Sequence, residues 1–276
     1  FISTGVTANL LPNTTTQIYA ASEDAAGNRS ACTFMTSYKH NNIRPAPPVF
    51  AYSVPASPTN ISFTPTIFGT ADFGVVTVRL YTDDTCSTLV GSATATDFET
   101  LGISITVAQN AETLIYATSE DVEGNFSFCT GIGSFEHSDT PAPPPVFTVA
   151  YPPSPTKTTN TPYISGTAPS SVTQVELYLD AACSVLQGSA TRGVFSTTGI
   201  QITVPTNTTS AVYGLSRDVY GNSSNCQMLT NYTHTNLPPL NPTYSHTTPA
   251  SPTNASFTPT IFGSVFTNPA SPLRSE

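Results

Sequence analysis

The sequence predicts an all-β chain of tandem β-sandwich repeats, each 97 residues long and joined to the next by a Pro-rich linker. Three observations carry that prediction. First, SPTNISFTPTIFGTA at 57–71 returns as SPTKTTNTPYISGTA at 154–168 and as SPTNASFTPTIFGS at 251–264, and self-similarity at a fixed period is the signature of a repeat protein. Second, apolar and polar residues alternate with period two inside each copy, as in half-buried strands. Third, charged residues make up 9% of the chain and aromatic residues 10%, where charged residues in soluble domains are about 25%. Thr, Ser and aromatic residues fit a pleated surface, and the unbranched charged residues that favour helices are scarce.

The period sets the domain limits. Residues 48–144 and 145–241 are complete copies, residues 1–47 match the C-terminal half of one, and residues 242–276 begin a further copy. Similarity stops after Gly263 and Ser264, where ADFGVVTVRLY or APSSVTQVELY gives way to VFTNPASPLRSE. The chain therefore reads as a stretch of a longer repeat protein, its tail a truncated or mis-framed copy or else a specialised cap, because half a repeat cannot bury its own core.

Within a complete copy the strands follow in order. PTIFGTA opens it; Val76, Val78 and Leu80 then alternate with Thr77 and Arg79, and GSATA follows. Ile103, Ile105 and Val107 alternate with Ser104 and Thr106, and further strands are expected over 114–118 and 125–130. The next copy repeats this with Val175 and Leu177, then Ile200, Ile202 and Val204. About seven short strands separated by turn residues suit a sandwich. No stretch of helical period is long enough for a parallel crossover.

The fixed residues come next. Ser-x-Asp-x-x-Gly-Asn-x-Ser stands before the last strand in all three copies, with Asp24, Gly27 and Asn28, then Asp121, Gly124 and Asn125, then Asp218, Gly221 and Asn222. An Asp opening a tight connection accepts backbone N–H groups, and Gly-Asn supplies positive φ. A Ca²⁺ site on the Asp is the alternative. Calcium wants six to eight oxygens, and the neighbouring acid is not kept, since Glu23 and Glu120 become Arg217. A structural turn without cofactor is the preferred reading. Tyr19, Tyr116 and Tyr213 recur ahead of that motif. They are expected as tyrosine corners, each hydroxyl folding back on nearby backbone, with a sugar-binding platform as the alternative.

Cys86 and Cys129, like Cys183 and Cys226, stand 43 residues apart within one copy. One disulfide per sandwich is the economical pairing and implies an oxidising compartment. A metal site lacks any Cys-x-x-Cys pair, and Cys32 is left over. His40, His137 and His234 recur just after the last strand; junction packing is expected, against a metal or pH-sensing alternative. Asp83 and Asp180 read as turn residues. Eight Asn-x-Ser/Thr sequons occur, at Asn13, Asn28, Asn60, Asn125, Asn207, Asn222, Asn231 and Asn254. The linkers RPAPPVFAYSVPASPT, TPAPPPVFTVAYPPSPT and LPPLNPTYSHTTPASPT hold the chain near polyproline II as semi-rigid spacers.

A net charge of −9 and a pI near 4.7 leave no basic footprint for nucleic acid or anionic lipid. No run of 18 apolar residues exists for a membrane-spanning helix. The first residues, FISTGVTANL, lack the basic start of a signal peptide. No nucleophile elbow, His-Glu-x-x-His, P-loop or dinucleotide fingerprint occurs, so no enzyme is expected.

GTA near the start, LY-x-D in the middle and YA-x-S-x-D-x-x-GN-x-S at the end together resemble bacterial immunoglobulin-like repeats of large extracellular and surface proteins. The resemblance covers essentially the whole chain and implies Greek-key sandwiches strung into a rigid stalk or fibre of an adhesin-like molecule, extracellular or on the cell surface. The cysteine pair departs from many such repeats. Implied partners are neighbouring repeats of the same chain, other copies in a fibre, and host or surface glycans or proteins. Two alternatives stand beside the stalk: a glycan- or protein-binding module, and spacer domains of a secreted enzyme.

Overall fold

Alternation of period two leaves every strand with one apolar side, and two facing sheets hide those sides from water. The computed structural model describes residues 3–265 and divides into two units, one up to Ser138 and one from Asp139. Each unit holds one complete sandwich and one isolated antiparallel pair.

In the first unit, β1 (Thr15–Ala20) pairs with β2 (Thr33–Lys39). The sandwich follows as β3 (Val49–Val54), β4 (Thr66–Thr70), β5 (Val75–Tyr81), β6 (Leu89–Thr94), α1 (Ala95–Thr100), β7 (Ile103–Ser104), β8 (Ala111–Asp121) and β9 (Thr130–His137). One sheet has the order β3-β4-β7 and the other β6-β5-β8-β9, all antiparallel. The second unit repeats the plan as β10 (Val146–Tyr151), β11 (Tyr163–Thr167), β12 (Val172–Tyr178), β13 (Leu186–Thr191), α2 (Arg192–Thr197), β14 (Ile200–Gln201), β15 (Thr208–Asp218) and β16 (Gln227–His234). Its sheets run β10-β11-β14 and β13-β12-β15-β16. A last pair joins β17 (Thr243–Thr248) to β18 (Thr260–Ser264). The divergent stretch 266–276 lies outside the described residues.

Seven strands in two layers meet the expectation, and the alternating residues build the core. Ile67, Val78, Leu80, Ile103, Ile105, Ile115 and Phe135 are buried in the first sandwich, and Ile164, Val175, Leu177, Ile200, Ile202, Val212 and Tyr232 occupy the same places in the second. Burying one such side chain is worth about 1.5–3 kcal/mol.

Three local expectations need correction. Val76 is exposed and Val75 buried, because a register shift between Val75 and Thr77 turns the strand by one residue. The last strand is β9, from Thr130, so 125–129 is connection and Cys129 precedes the strand; His137 is the strand's final residue. A helical turn, α1, stands where only strand and loop were expected. Thr94 caps it by accepting the Asp97 N–H at 3.1 Å, and Thr191 caps α2 by accepting that of Val194 at 3.4 Å.

These short helices fill the core between the sheets. Phe98 and Phe195 are fully buried, and each ring lies over a glycine of the GTA motif, Gly69 or Gly166. A Cβ at Gly166 would collide with the Phe195 ring and the Val146 carbonyl. Gly166→Ala should therefore lower the unfolding free energy of the second sandwich by about 1–3 kcal/mol, as overpacking does. Gly193→Ala, in α2 with nothing nearer than 4.0 Å, should change it by at most about 1 kcal/mol in the stabilising direction. Urea denaturation of the two variants checks both values.

Candidate functional site

A chain that reverses at the end of a sandwich strips backbone N–H groups of strand partners. In the connection from β8 to β9, Asp121 Oδ1 accepts the N–H groups of Glu123 at 3.0 Å and Asn125 at 2.8 Å, while Oδ2 accepts the Asn125 amide at 2.9 Å. Asp24 and Asp218 gather the same set, from Ala26 and Asn28 and from Tyr220 and Asn222. The positive φ belongs to Gly27, Gly124 and Gly221 alone. The asparagine serves instead as donor to the carboxylate, which corrects the Gly-Asn expectation. Asn125 first, then backbone N–H groups, hold the Asp121 carboxyl below its ordinary range, and Asn28 does the same for Asp24.

The serines flanking the motif close it. Ser127 donates its N–H to the Ser119 carbonyl at 2.9 Å and accepts the Ser119 N–H on its Oγ at 3.0 Å. Ser22 with Ser30 and Ser216 with Ser224 repeat the exchange. Three sequons, at Asn28, Asn125 and Asn222, thus arise from turn chemistry.

Both disulfides form, Cys86 with Cys129 and Cys183 with Cys226, with Cα atoms 5.8 Å apart in each. Cys32 is free and exposed. Each bridge starts from a second carboxylate-organised turn. Asp83 accepts the N–H groups of Thr85, Ser87 and Thr88 and the hydroxyls of Thr85 and Ser87, and the turn holds Cys86 at φ 52. Asp180 collects Ala182, Ser184 and Val185 in the same way around Cys183. Backbone N–H groups, that of Ser87 first for Asp83 and that of Ser184 first for Asp180, hold both carboxyls below the usual range.

The recurrent tyrosines are not corners. Tyr116 and Tyr213 lie in mid-strand, opposite Tyr81 and Tyr178, and the Tyr19 hydroxyl donates to the Gln17 side chain at 2.8 Å rather than to backbone. The recurrent histidines join a column of asparagines that sequence reading passed over. His40, His137 and His234 accept on Nδ1 the N–H of Asn13, Asn110 and Asn207, at 3.1, 3.4 and 3.4 Å, and those three asparagines have φ of 57, 56 and 59. Asn13 and Asn207 in turn accept on Oδ1 the N–H of Asn42 and Asn236, each at 2.8 Å, at the start of a linker.

One ion pair is kept with its polarity reversed. Arg79 pairs with Glu120 at 2.7 Å in the first sandwich, and Glu176 with Arg217 at 2.8 Å on the same positions of the second. Burial alone would raise Glu176, but bonds from Arg217 and Tyr178 outweigh it and hold the carboxyl low; burial and the bond to Glu176 push the Tyr178 hydroxyl up to about 12.

The turn also receives the linker. Ser119 Oγ donates to the Ala46 carbonyl, and Ser216 Oγ to that of Pro143, each 73 residues upstream. In the first unit, Asn125 donates to the Asn41 carbonyl at 3.2 Å, Lys39 pairs with Glu123, and Arg44 donates to the Phe126 carbonyl at 2.9 Å while lying 4.9 Å from the Phe128 ring centre. No group of three or more His, Cys, Asp or Glu side chains that could hold a metal ion occurs among the described residues, and no helix there is long and apolar enough to cross a membrane.

No family model and no curated protein matches this sequence. Among solved structures, the chain is similar to the FN1–FN3 domains of chicken CNTN1, at 14% identity and TM-score 0.38, over 74% of this chain and 72% of that one. It is similar to fibronectin(III)-like modules of Clostridium thermocellum CbhA, at 14% identity and TM-score 0.36, over 65% and 92%. A third likeness, to the BSP domain of a biofilm-associated protein, has 15% identity and TM-score 0.23 over 71% and 30%.

The carboxylates of Asp24, Asp83, Asp121 and Asp180 sit below the ordinary 3.8 in the folded chain. A group depressed on folding contributes stability above its unfolded value and loses it as pH falls through the folded one. Stability should therefore hold above pH 3.8 and decline below it, and Asp180→Ala should flatten the decline. Urea midpoints measured across that pH range give both slopes.

Proposed function

We propose that this chain is a structural repeat segment of an extracellular or cell-surface protein, forming a stiff stalk or fibre of an adhesin-like molecule. The observation that supports it most is the double duty of one serine column. Ser119 and Ser216 close the recurring turn with their backbone and hold the incoming linker with their hydroxyl. The Pro-rich stretch just ahead of β3 or β10, stiffer by composition than a Gly- or Ser-rich tether, is thereby fastened to the sandwich it enters and loses the freedom a tether would keep.

Two supports accompany it. A disulfide in each sandwich fits an oxidising location. The recurring carboxylates are occupied with turn N–H groups rather than arranged around a substrate, which suits a non-enzymatic role. The partners in this reading are the neighbouring repeats of the chain, other copies alongside it in a fibre, and the surface glycans or proteins that the stalk's tip would meet.

Small-angle scattering of the whole chain tests the proposal. A compact chain of this length would have a radius of gyration of about 19 Å. A stalk should give a clearly larger value with an elongated distance distribution, and Arg44→Ala with Ser119→Ala should broaden that distribution by freeing the first joint. A compact particle, or a broad distribution already present in the unaltered chain, would remove the stalk.

A further inference from the structure

A chain drawn out by its two ends loads each sandwich through its first and last segments. In both sandwiches the stretch that follows the first strand, around Thr59 or Thr156, lies beside the end of the last strand and runs parallel to it. Thr59 donates its N–H to the Glu136 carbonyl at 3.2 Å, Ser138 donates to the Thr59 carbonyl at 3.1 Å, and Ser57 Oγ accepts the Glu136 N–H at 2.9 Å. In the second sandwich, Thr156 donates to Thr233 at 3.1 Å, Thr235 to Thr156 at 2.9 Å, and Ser154 Oγ accepts the Thr233 N–H at 2.8 Å. Pulling one segment backward and its parallel neighbour forward stretches these bonds together, across their own direction, rather than opening them one after another.

The second clasp carries a bond that the residue at the same position of the first cannot make. Tyr232, its side chain fully buried, reaches back to donate its hydroxyl to the Pro152 carbonyl at 3.0 Å. The same position in the first sandwich is Phe135, equally buried and without a hydroxyl. Beyond each clasp stands the disulfide. The loop from Cys86 to Cys129 spans 43 residues, about half of the stretch from Val49 to His137, and it cannot lengthen while the bridge is intact.

We infer that these parallel segments are tension-bearing clasps of graded strength, the first sandwich yielding before the second, with the disulfide limiting how far each one extends. The first sandwich is the one that opens under moderate load, and the second keeps the chain connected. The bridge keeps the inner strands of an opened sandwich together, so refolding starts from a partly built core. The inference concerns the folded chain under tension and does not depend on what a stalk would present.

Single-molecule stretching of the whole chain, held at its two ends, decides the matter. Two ruptures at different forces are expected. Tyr232→Phe should bring the higher force down to the lower, leaving the lower one in place, and Phe135 shows that a sandwich accommodates the change. Ser154→Ala should also weaken only the higher rupture. Reductant should about double the length released per event, since extended chain covers at most about 3.5 Å per residue. Rupture forces that both variants leave unmoved, or a released length indifferent to reductant, would overturn the inference. A compact particle in scattering would remove the stalk and leave this result standing.

Discussion

The structure depends first on a solvation constraint. Wherever a sandwich strand ends and the chain reverses, several N–H groups lose their ladder partners together and need others. One carboxylate placed at the start of the reversal answers for two or three of them. Asp24, Asp121 and Asp218 do so at one connection and Asp83 and Asp180 at another. In a chain with only 17 acidic residues, that use accounts for where many of them stand. The disulfide, the serine exchange and the linker seat are all built on turns shaped this way.

Comparison between copies made much of this legible before any coordinates. The 97-residue register placed the cysteines in columns, and those columns pair as expected. The core alternation of Val78 with Leu80 and of Ile103 with Ile105 was equally plain. Val76 misled because three valines and a leucine follow each other closely, and either phase of alternation can be drawn through them. The companion copy held the answer, since Val172 faces Thr173 where Val75 faces Val76, and only the first of each pair is buried.

Other features needed three dimensions. Phe98 stands in a largely polar stretch, ATDFET, whose two apolar residues, Ala95 and Phe98, are too few to set a period. Its burial follows from the glycine beneath it, contributed by a strand 29 residues earlier. The tyrosine columns were visible, but column membership does not say whether a ring lies at a corner or in mid-strand; pairing with Tyr81 and Tyr178 settles that. The asparagine column at 13, 110 and 207 could have been read from the register. It was hidden by the ordinary abundance of Asn in this chain, and it gains meaning only beside the histidine nitrogen it faces.

The reversed ion pair bears on how such a chain avoids tangling with itself. Near-identical sandwiches tethered in sequence are at high effective concentration, and a strand from one can enter the sheet of its neighbour during folding. If β12 were to join β8 in place of β15, Glu176 would lie diagonally across from Glu120; if β5 were to join β15, Arg79 would lie diagonally across from Arg217. Diagonal neighbours remain within reach of long side chains, so like charges there disfavour the pairing. Each sandwich therefore carries its own polarity as a label, and a strand that strays into the neighbouring copy meets the wrong sign.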